Sequence, residues 1–237
     1  MSETEGFRGF PGEGLQFLGD LKQNNNREWF QAHKGLYTEH VLGPAQDFVE
    51  AFGEALRSVS EGIAYGNQAS GRGSILRIYR DLRFSKDKRP YNTYVRLFFW
   101  EGSRKKMENP GYYLVIEPSG GSVYAGMYRF PRPFLEAYRE AVIDEKLGSE
   151  LEGALAAVRE AGEYEIGGER YKRVPRGYDA AHERVELLLY KGLYAEAPGV
   201  EREVLMKPEL VDVCLEHCRN MAPLHRWLVR VGERYGV

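Results

Sequence analysis

Residues 112–128 read YYLVIEPSGGSVYAGMY, and this stretch decides the fold. Apolar and aromatic residues fill both of its arms, which predicts strands over residues 112–117 and 123–128. The link Pro118-Ser-Gly-Gly121 has the composition of a turn, so the two strands should pair as a hairpin. Residues 75–84 and 94–100 also have the pattern of strands. Because parallel pairs need long crossovers, these short links predict a mostly antiparallel sheet.

Helical patterns lie on both sides of this sheet. Near the N-terminus, Asn25 and Glu28 have capping-box spacing, and a longer helix should begin near Pro44. Later features are a helix after Pro131, one starting at Ser149, a hairpin over 164–174 that turns at Gly167-Gly168, a helix over 183–191, and helices starting at Pro208 and Pro223. The sequence predicts a single α+β domain over residues 1–237. Its antiparallel sheet, about residues 74–128 plus the small later hairpin, should pack against N- and C-terminal helices.

Composition excludes several classes of protein. The chain has 237 residues, with 33 Lys plus Arg against 35 Asp plus Glu, so a generic coat for long nucleic acid is not expected. Only two cysteines occur, which argues against a disulfide-stapled scaffold. The start MSETEGFRGF lacks a secretory pattern, and no apolar stretch approaches the roughly 18 residues of a membrane span. We therefore expect a soluble, cytoplasmic protein with no membrane partner.

Positive charge is concentrated in residues 72–96. This window has eight Lys or Arg and two Asp, a net charge of +6, which leaves −8 for the remainder of the −2 chain. If residues 75–84 are extended, Arg80 falls on the same face as Leu76, Ile78 and other apolar residues. A buried guanidinium needs a carboxylate or carbonyl partner, so we expect Arg80 to be structural.

The other side chains of this window predict an anion site. Guanidinium groups bind phosphate or carboxylate in a bidentate manner, lysines add mobile charges, and tyrosines stack on rings. The predicted ligand-binding residues here are Arg77, Tyr79, Arg83, Lys86, Lys88 and Tyr91. A small phosphate-bearing ligand fits a local +6 window better than long nucleic acid does. The alternatives are a non-catalytic interaction module whose basic face docks an acidic protein partner, and a solvated strand edge protected by charge.

Several motifs resemble those of the family catalogued as domain of unknown function 2461. The central motifs are Arg77-Ile-Tyr-Arg-Asp81, Arg83-Phe-Ser-Lys-Asp-Lys88 and Pro90-Tyr91. Others are Asn24–Phe30 with Lys34 and Tyr37, residues 110–113, and Pro175-Arg-Gly-Tyr-Asp179 with His182 and Lys191. The resemblance implies a single shared domain and supplies no mechanism.

The resemblance also suggests that Arg176, Asp179, His182 and Lys191 pack beside residues 77–91. Arg176 and Lys191 would then join the ligand-binding set, and His182 would act as a general acid or base oriented by Asp179. The alternative is that Asp179 and His182 cap a helix starting near residue 183. If chemistry occurs, hydrolysis or phosphoryl transfer is the expected class, with Asp81, Asp87 or His182 moving a proton or holding a divalent cation. The sequence identifies no cofactor, and it decides neither enzyme status nor oligomeric state.

The residues Cys214, His217 and Cys218 offer a weak metal pattern. The two thiols share one helical face, but His217 is offset by about 100° from Cys218. A tetrahedral site would need further ligands from elsewhere, so we expect buried thiols and no metal site.

Overall fold

The computed structural model describes residues 6–69 and 71–237, which form helices and one antiparallel sheet, as predicted. The helices are α1 (Gly12–Gln23), α2 (Arg27–Ala32), α3 (Lys34–Tyr37), a π-helical turn (Thr38–Leu42), α4 (Gly43–Leu56), a 3-10 turn (Lys106–Glu108), α5 (Arg132–Ile143), α6 (Glu145–Glu160), α7 (Val185–Leu188), α8 (Arg202–Leu205) and α9 (Leu210–Tyr235). The strands are β1 (Ile63–Ala64), β2 (Val95–Glu101), β3 (Gly111–Glu117), β4 (Gly120–Met127), β5 (Glu165–Gly167), β6 (Leu193–Glu196) and β7 (Val200–Glu201). The α+β fold class is therefore confirmed.

The predicted hairpin is the centre of the sheet. Strands β3 and β4 pair in antiparallel register, and the pair Glu117–Gly120 closes a two-residue turn. The strand order is β1-β2-β3-β4-β6-β5, with β7 also paired to β4. One face of β3 is fully buried through Tyr112, Leu114 and Ile116, because the helices pack over it. The hairpin thus forms the centre of the sheet, which β2 and β1 extend on one side and β6 and β5 on the other.

The prediction of a strand over residues 75–84 is wrong. Only Ile75 forms a bridge to β2, opposite Leu97, and Tyr79 forms a second isolated bridge to Tyr91. The burial of alternate residues also differs from that of a strand with Leu76 and Ile78 on its core face. Phe84, which would share that face, is 93% exposed, whereas Ile75, on the opposite face, is buried. A regular strand would have placed the Arg80 guanidinium among apolar neighbours, and burying that charge is costly. The chain instead turns back on itself between Arg80 and Pro90, which places Tyr79 opposite Tyr91.

Helix positions match the sequence where a long apolar stripe exists and differ at some helix ends. Helix α4 buries Phe48, Phe52 and Leu56, as predicted. Helix α6 starts earlier than expected, because Asp144 rather than Ser149 accepts a hydrogen bond from a backbone N–H of the first turn, that of Leu147. The two helices expected at residues 208 and 223 are one helix, α9, which continues through Pro223. Its buried face continues on both sides of the proline, and that burial offsets the lost hydrogen bond.

The prediction of a hairpin over residues 164–174 is also wrong. Strand β5 pairs with β6, not with the residues that directly follow it. Gly168 has a φ of +148°, and a Cβ there would lie 2.1 Å from the carbonyl oxygen of Gly192. The glycine therefore marks a close approach to a distant segment and not a local turn.

Among the described residues, no helix is long and apolar enough to cross a bilayer.

Candidate functional site

The predicted anion site lies on a loop that we call the basic loop, residues 80–90. The Arg80 N–H donates to the Pro90 carbonyl at 2.9 Å, and the Asn92 N–H donates to the Ile78 carbonyl at 2.7 Å. These bonds make the base of the loop a short, irregular ladder beside the β1 edge of the sheet. The basic loop contains five Lys or Arg and two Asp, a net charge of +3.

Arg80 holds the basic loop together from inside. Its guanidinium lies 2.8 Å from a carboxylate oxygen of Asp87 and donates to the Arg89 carbonyl at 2.9 Å. The Arg80 side chain is 24% exposed, so it is half-buried against the loop rather than in the sheet core. The expected structural carboxylate partner exists, although the expected buried strand face does not.

The two aspartates of the basic loop bind its arginines. Asp81 pairs with Arg83 at 2.6 Å, and hydrogen bonds from Arg83 lower the pKa of Asp81 to about 2. Asp87 pairs with Arg89 at 2.8 Å, and hydrogen bonds from Arg89 hold the pKa of Asp87 far below its usual value. Carboxylates with such low pKa values are weak bases at neutral pH. This geometry gives no support to Asp81 or Asp87 as proton acceptors.

The other cations and one phenyl ring point outward from the basic loop. Phe84 is 93% exposed, and the Arg83 side chain beside it is 78% exposed. Lys86 and Lys88 are also exposed, and the Lys88 ammonium donates to the Leu82 carbonyl at 3.2 Å. The basic loop is therefore an open surface with an apolar tip and a positive rim.

The two tyrosines predicted for ligand stacking have different environments. Tyr91 is 2% exposed and its ring stacks on Phe30 at 4.1 Å, so it belongs to the core. Tyr79 is 55% exposed and lies at the foot of the basic loop, as does the exposed Arg77. Only Tyr79 of the pair presents a ring to solvent.

An asparagine in the link between α1 and α2 fixes the foot of the basic loop. The Asn25 side chain donates to the Tyr91 carbonyl at 2.9 Å and accepts from the Tyr91 N–H at 3.0 Å. The capping role predicted for Asn25 belongs to Asn26, whose side chain accepts from the Trp29 N–H. Asn25 thus joins two segments that are 66 residues apart.

The second predicted cluster lies at the other edge of the sheet. Lys191 pairs with Glu169 next to β5 and β6, whereas the basic loop lies beside β2, with β3 and β4 between them. The Asp179 carboxylate accepts from the Ala181 N–H at 2.8 Å, and the His182 Nδ1 accepts from the Arg184 N–H at 3.0 Å. These are local turn contacts, and Arg176 is exposed near them. The sheet therefore separates Arg176 and Lys191 from the other ligand-binding candidates.

The cysteines of α9 are buried free thiols, as expected. Burial raises the pKa values of Cys214 and Cys218, and the His217 Nδ1 lies 2.9 Å from the Tyr164 hydroxyl. Within residues 6–69 and 71–237, no three His, Cys, Asp or Glu side chains are grouped as metal ligands would be.

Sequence reasoning missed a polar cluster that joins three elements. His225 of α9 is fully buried, and its Nε2 lies 2.8 Å from a carboxylate oxygen of Glu101 at the end of β2. Ser60, in the turn after α4, donates to the same oxygen and lies 3.2 Å from the His225 Nε2. The hydrogen bond from His225 lowers the pKa of Glu101. Because these residues are 41 to 165 positions apart, no local motif could have identified them.

The opposite side of the His225 ring is polar and unsatisfied. Its Nδ1 and the Tyr112 hydroxyl are both buried without a hydrogen-bond partner among the described residues, and the two rings are 4.5 Å apart. We assign the proton to Nε2, since an N–H at Nδ1 would be buried without an acceptor.

These features define a class of protein: a one-sheet α+β fold with an exposed basic loop at one edge and a buried acid–histidine pair at the end of β2. Residues 13–227 match the family model described as "Conserved hypothetical protein (DUF2461)". The chain belongs to this family, as its motifs predicted. No curated protein matches the chain.

Proposed function

We propose that this protein binds an acidic protein partner through the basic loop. The observation that carries the proposal is the exposed Phe84 ring, surrounded in sequence by Arg83, Lys86 and Lys88, all of them exposed. Aromatic and arginine side chains are enriched at protein interfaces, where they contribute much of the binding energy. An apolar tip with a positive rim complements an acidic surface that contains an apolar depression.

The internal contacts of the basic loop favour binding by a prearranged surface. Arg80 bonds both Asp87 and the Arg89 carbonyl, which fixes the loop between them. A loop that is already ordered loses less conformational entropy when a partner binds. Because Asp81 and Asp87 pair with arginines, the Lys86 ammonium and the remaining N–H donors of Lys88 can bind external carboxylates.

An extended partner suits this open geometry better than a small anion does. A small anion on an exposed surface stays largely hydrated, and a single exposed ion pair contributes only about 0–1 kcal/mol. An acidic protein surface can contact several cations and the Phe84 ring together. The small-ligand prediction remains the competing outcome of the experiment.

The experiment measures binding of fluorescent poly-L-glutamate by anisotropy, with pyrophosphate as the small-anion probe. We expect the double variant Lys86→Glu/Lys88→Glu to bind poly-L-glutamate at least about tenfold more weakly, or by about 1.4 kcal/mol. The matched control is Arg57→Glu/Arg132→Glu, which changes the total charge equally at exposed sites outside the loop. Equal losses in both double variants would mean that only net charge matters, which contradicts the proposal.

A second comparison tests the apolar tip. Phe84→Ala should weaken binding of a peptide of alternating Glu and Leu more than it weakens binding of poly-L-glutamate. Tyr128→Ala is the control, because Tyr128 is 81% exposed and follows β4 away from the loop. Tighter binding of pyrophosphate than of either peptide, lost in the Lys86→Glu/Lys88→Glu variant, would restore the small-anion prediction instead.

A further inference from the structure

A groove outside the basic loop lies between the turn after α4, the end of β2 and the last third of α9. It has a volume of about 240 Å³ and is lined by charged and apolar side chains from all three segments. The groove is therefore large enough for a small organic molecule.

The foot of the groove is the Glu101 carboxylate. Three groups fix it: the Ser60 hydroxyl, the His225 Nε2–H and the backbone N–H of Gly62. A Cβ on Gly62 would lie 2.5 Å from a carboxylate oxygen of Glu101, so the glycine leaves the space that this side chain needs. The Glu101 side chain is 19% exposed, and it lines the groove. It is a fixed negative group that a ligand can reach.

A positive group lines the same groove without pairing to Glu101. Arg226 is exposed, and its guanidinium donates a weak hydrogen bond of 3.4 Å to the Val59 carbonyl. Among the described residues, Arg226 has no carboxylate within ion-pair distance, whereas Arg230 pairs with Glu150 at 2.6 Å. A guanidinium has five N–H donors, so Arg226 retains donors for a ligand. Glu101 and Arg226 thus present opposite charges to the same groove, which Glu61, Glu233 and the already paired Arg230 also line.

We propose that this groove binds a small zwitterion of the α-amino acid class. The ligand ammonium contacts Glu101, and the ligand carboxylate accepts hydrogen bonds from the Arg226 guanidinium. A guanidinium can pair with a carboxylate through two parallel hydrogen bonds. Val59 and Val229 line the groove beside these groups and suit a short apolar side chain. Glu61 and Glu233 also line it, so a ligand with a second carboxylate is disfavoured by repulsion.

The test titrates the protein with glycine and L-alanine by isothermal calorimetry, alongside N-acetylglycine and glycinamide. The last two molecules lack the ammonium and the carboxylate respectively. We expect a dissociation constant of about 1 mM for L-alanine, and weakening of at least about tenfold when either charged group is removed. Equal affinities for glycine, N-acetylglycine and glycinamide would overturn the proposal. So would the absence of L-alanine binding at a concentration about thirtyfold above the expected dissociation constant.

Protein variants separate this site from nonspecific charge effects. Arg226→Gln should abolish measurable L-alanine binding, while Arg234→Gln, about two helical turns later, paired with Asp144 and outside the groove, should bind as the unaltered protein does. Because Arg226 is exposed, its substitution does not threaten folding. In ¹⁵N-histidine-labelled protein, L-alanine should shift the His225 Nε2 resonance, since that nitrogen bonds the Glu101 carboxylate. Equal effects of the two arginine variants would contradict the proposal.

Discussion

The basic loop and the Glu101–His225 cluster are both charged, but they are built in opposite ways. In the basic loop, every ion pair joins residues two to seven positions apart, and the paired side chains are 24% to 78% exposed. In the cluster, Ser60, Glu101 and His225 come from distant segments, and His225 is fully buried. A local charge pattern is therefore easy to detect in a sequence, yet it contributes little to stability. The distant cluster is undetectable in the sequence, and we expect it to matter most for folding.

The largest effect should come from His225→Ala. The substitution leaves a cavity and removes the donor to the buried side of Glu101, which should lower the free energy of unfolding by about 3–4 kcal/mol. Urea unfolding followed by tryptophan fluorescence measures this change. His217→Ala on the same helix is the control, with an expected loss near 1 kcal/mol, the value of a typical hydrogen bond. A loss below that of His217→Ala would break the comparison.

Acid should remove the contribution of Glu101. In the folded protein, the hydrogen bond from His225 lowers the pKa of Glu101 below its ordinary value of 4.5. The stabilising contribution of Glu101 is therefore complete above the pKa of the unfolded state and is lost as pH falls through the pKa of the folded state. The difference in unfolding free energy between the unaltered protein and Glu101→Gln should be constant above about pH 5 and should shrink below it. Unfolding curves at several pH values test this. A difference that grows on acidification would contradict the assigned pair.

An intermediate effect is expected for Asn25→Ala, which removes both hydrogen bonds to the Tyr91 backbone. Tyr91 is buried, so its N–H and carbonyl would be left unpaired, at a cost of about 2 kcal/mol. Asn24→Ala is a matched control, because the Asn24 side chain makes a single exposed bond to the Asp20 carbonyl. Chemical denaturation of the two variants should give clearly different midpoints. Similar midpoints would mean that Asn25 does not fix the foot of the loop.

The smallest effects are expected within the basic loop itself. Arg80→Ala should cost about 1 kcal/mol, because Arg80 is half-buried and bonds two loop segments. Arg83→Ala should change stability by less than about 0.5 kcal/mol, since its ion pair with Asp81 is exposed. Thermal unfolding of both variants, side by side, measures the difference. A larger loss for Arg83→Ala than for Arg80→Ala would reverse this assignment.

The sequence predicted those parts of the fold that depend on neighbouring residues. The β3–β4 hairpin and α4 follow from local periodicity and turn composition, and both are confirmed. Periodicity failed over residues 75–84, because keeping Arg80 near Asp87 and water outweighed continuing the strand. It also failed at Pro223, where burial along α9 outweighed the local preference to break the helix.

The candidate site was predictable to a similar extent. The charges of the basic loop were found, and so was the need of Arg80 for a carboxylate partner. The burial of Tyr91 was not predicted, because it depends on Phe30 stacking from an N-terminal helix. The separation of Lys191 from the basic loop follows from strand order, which no local pattern specifies.

The pairing of Asn25 with Tyr91 has a consequence for how molecules of this protein behave when crowded together. The Asn25 side-chain amide presents an N–H donor beside a carbonyl acceptor, as a peptide group does, so it satisfies the Tyr91 backbone as a neighbouring strand would. It offers no further backbone ladder beyond itself. The Tyr91 backbone is thereby closed to strands from other molecules, and we expect this to protect the foot of the basic loop against edge-to-edge pairing.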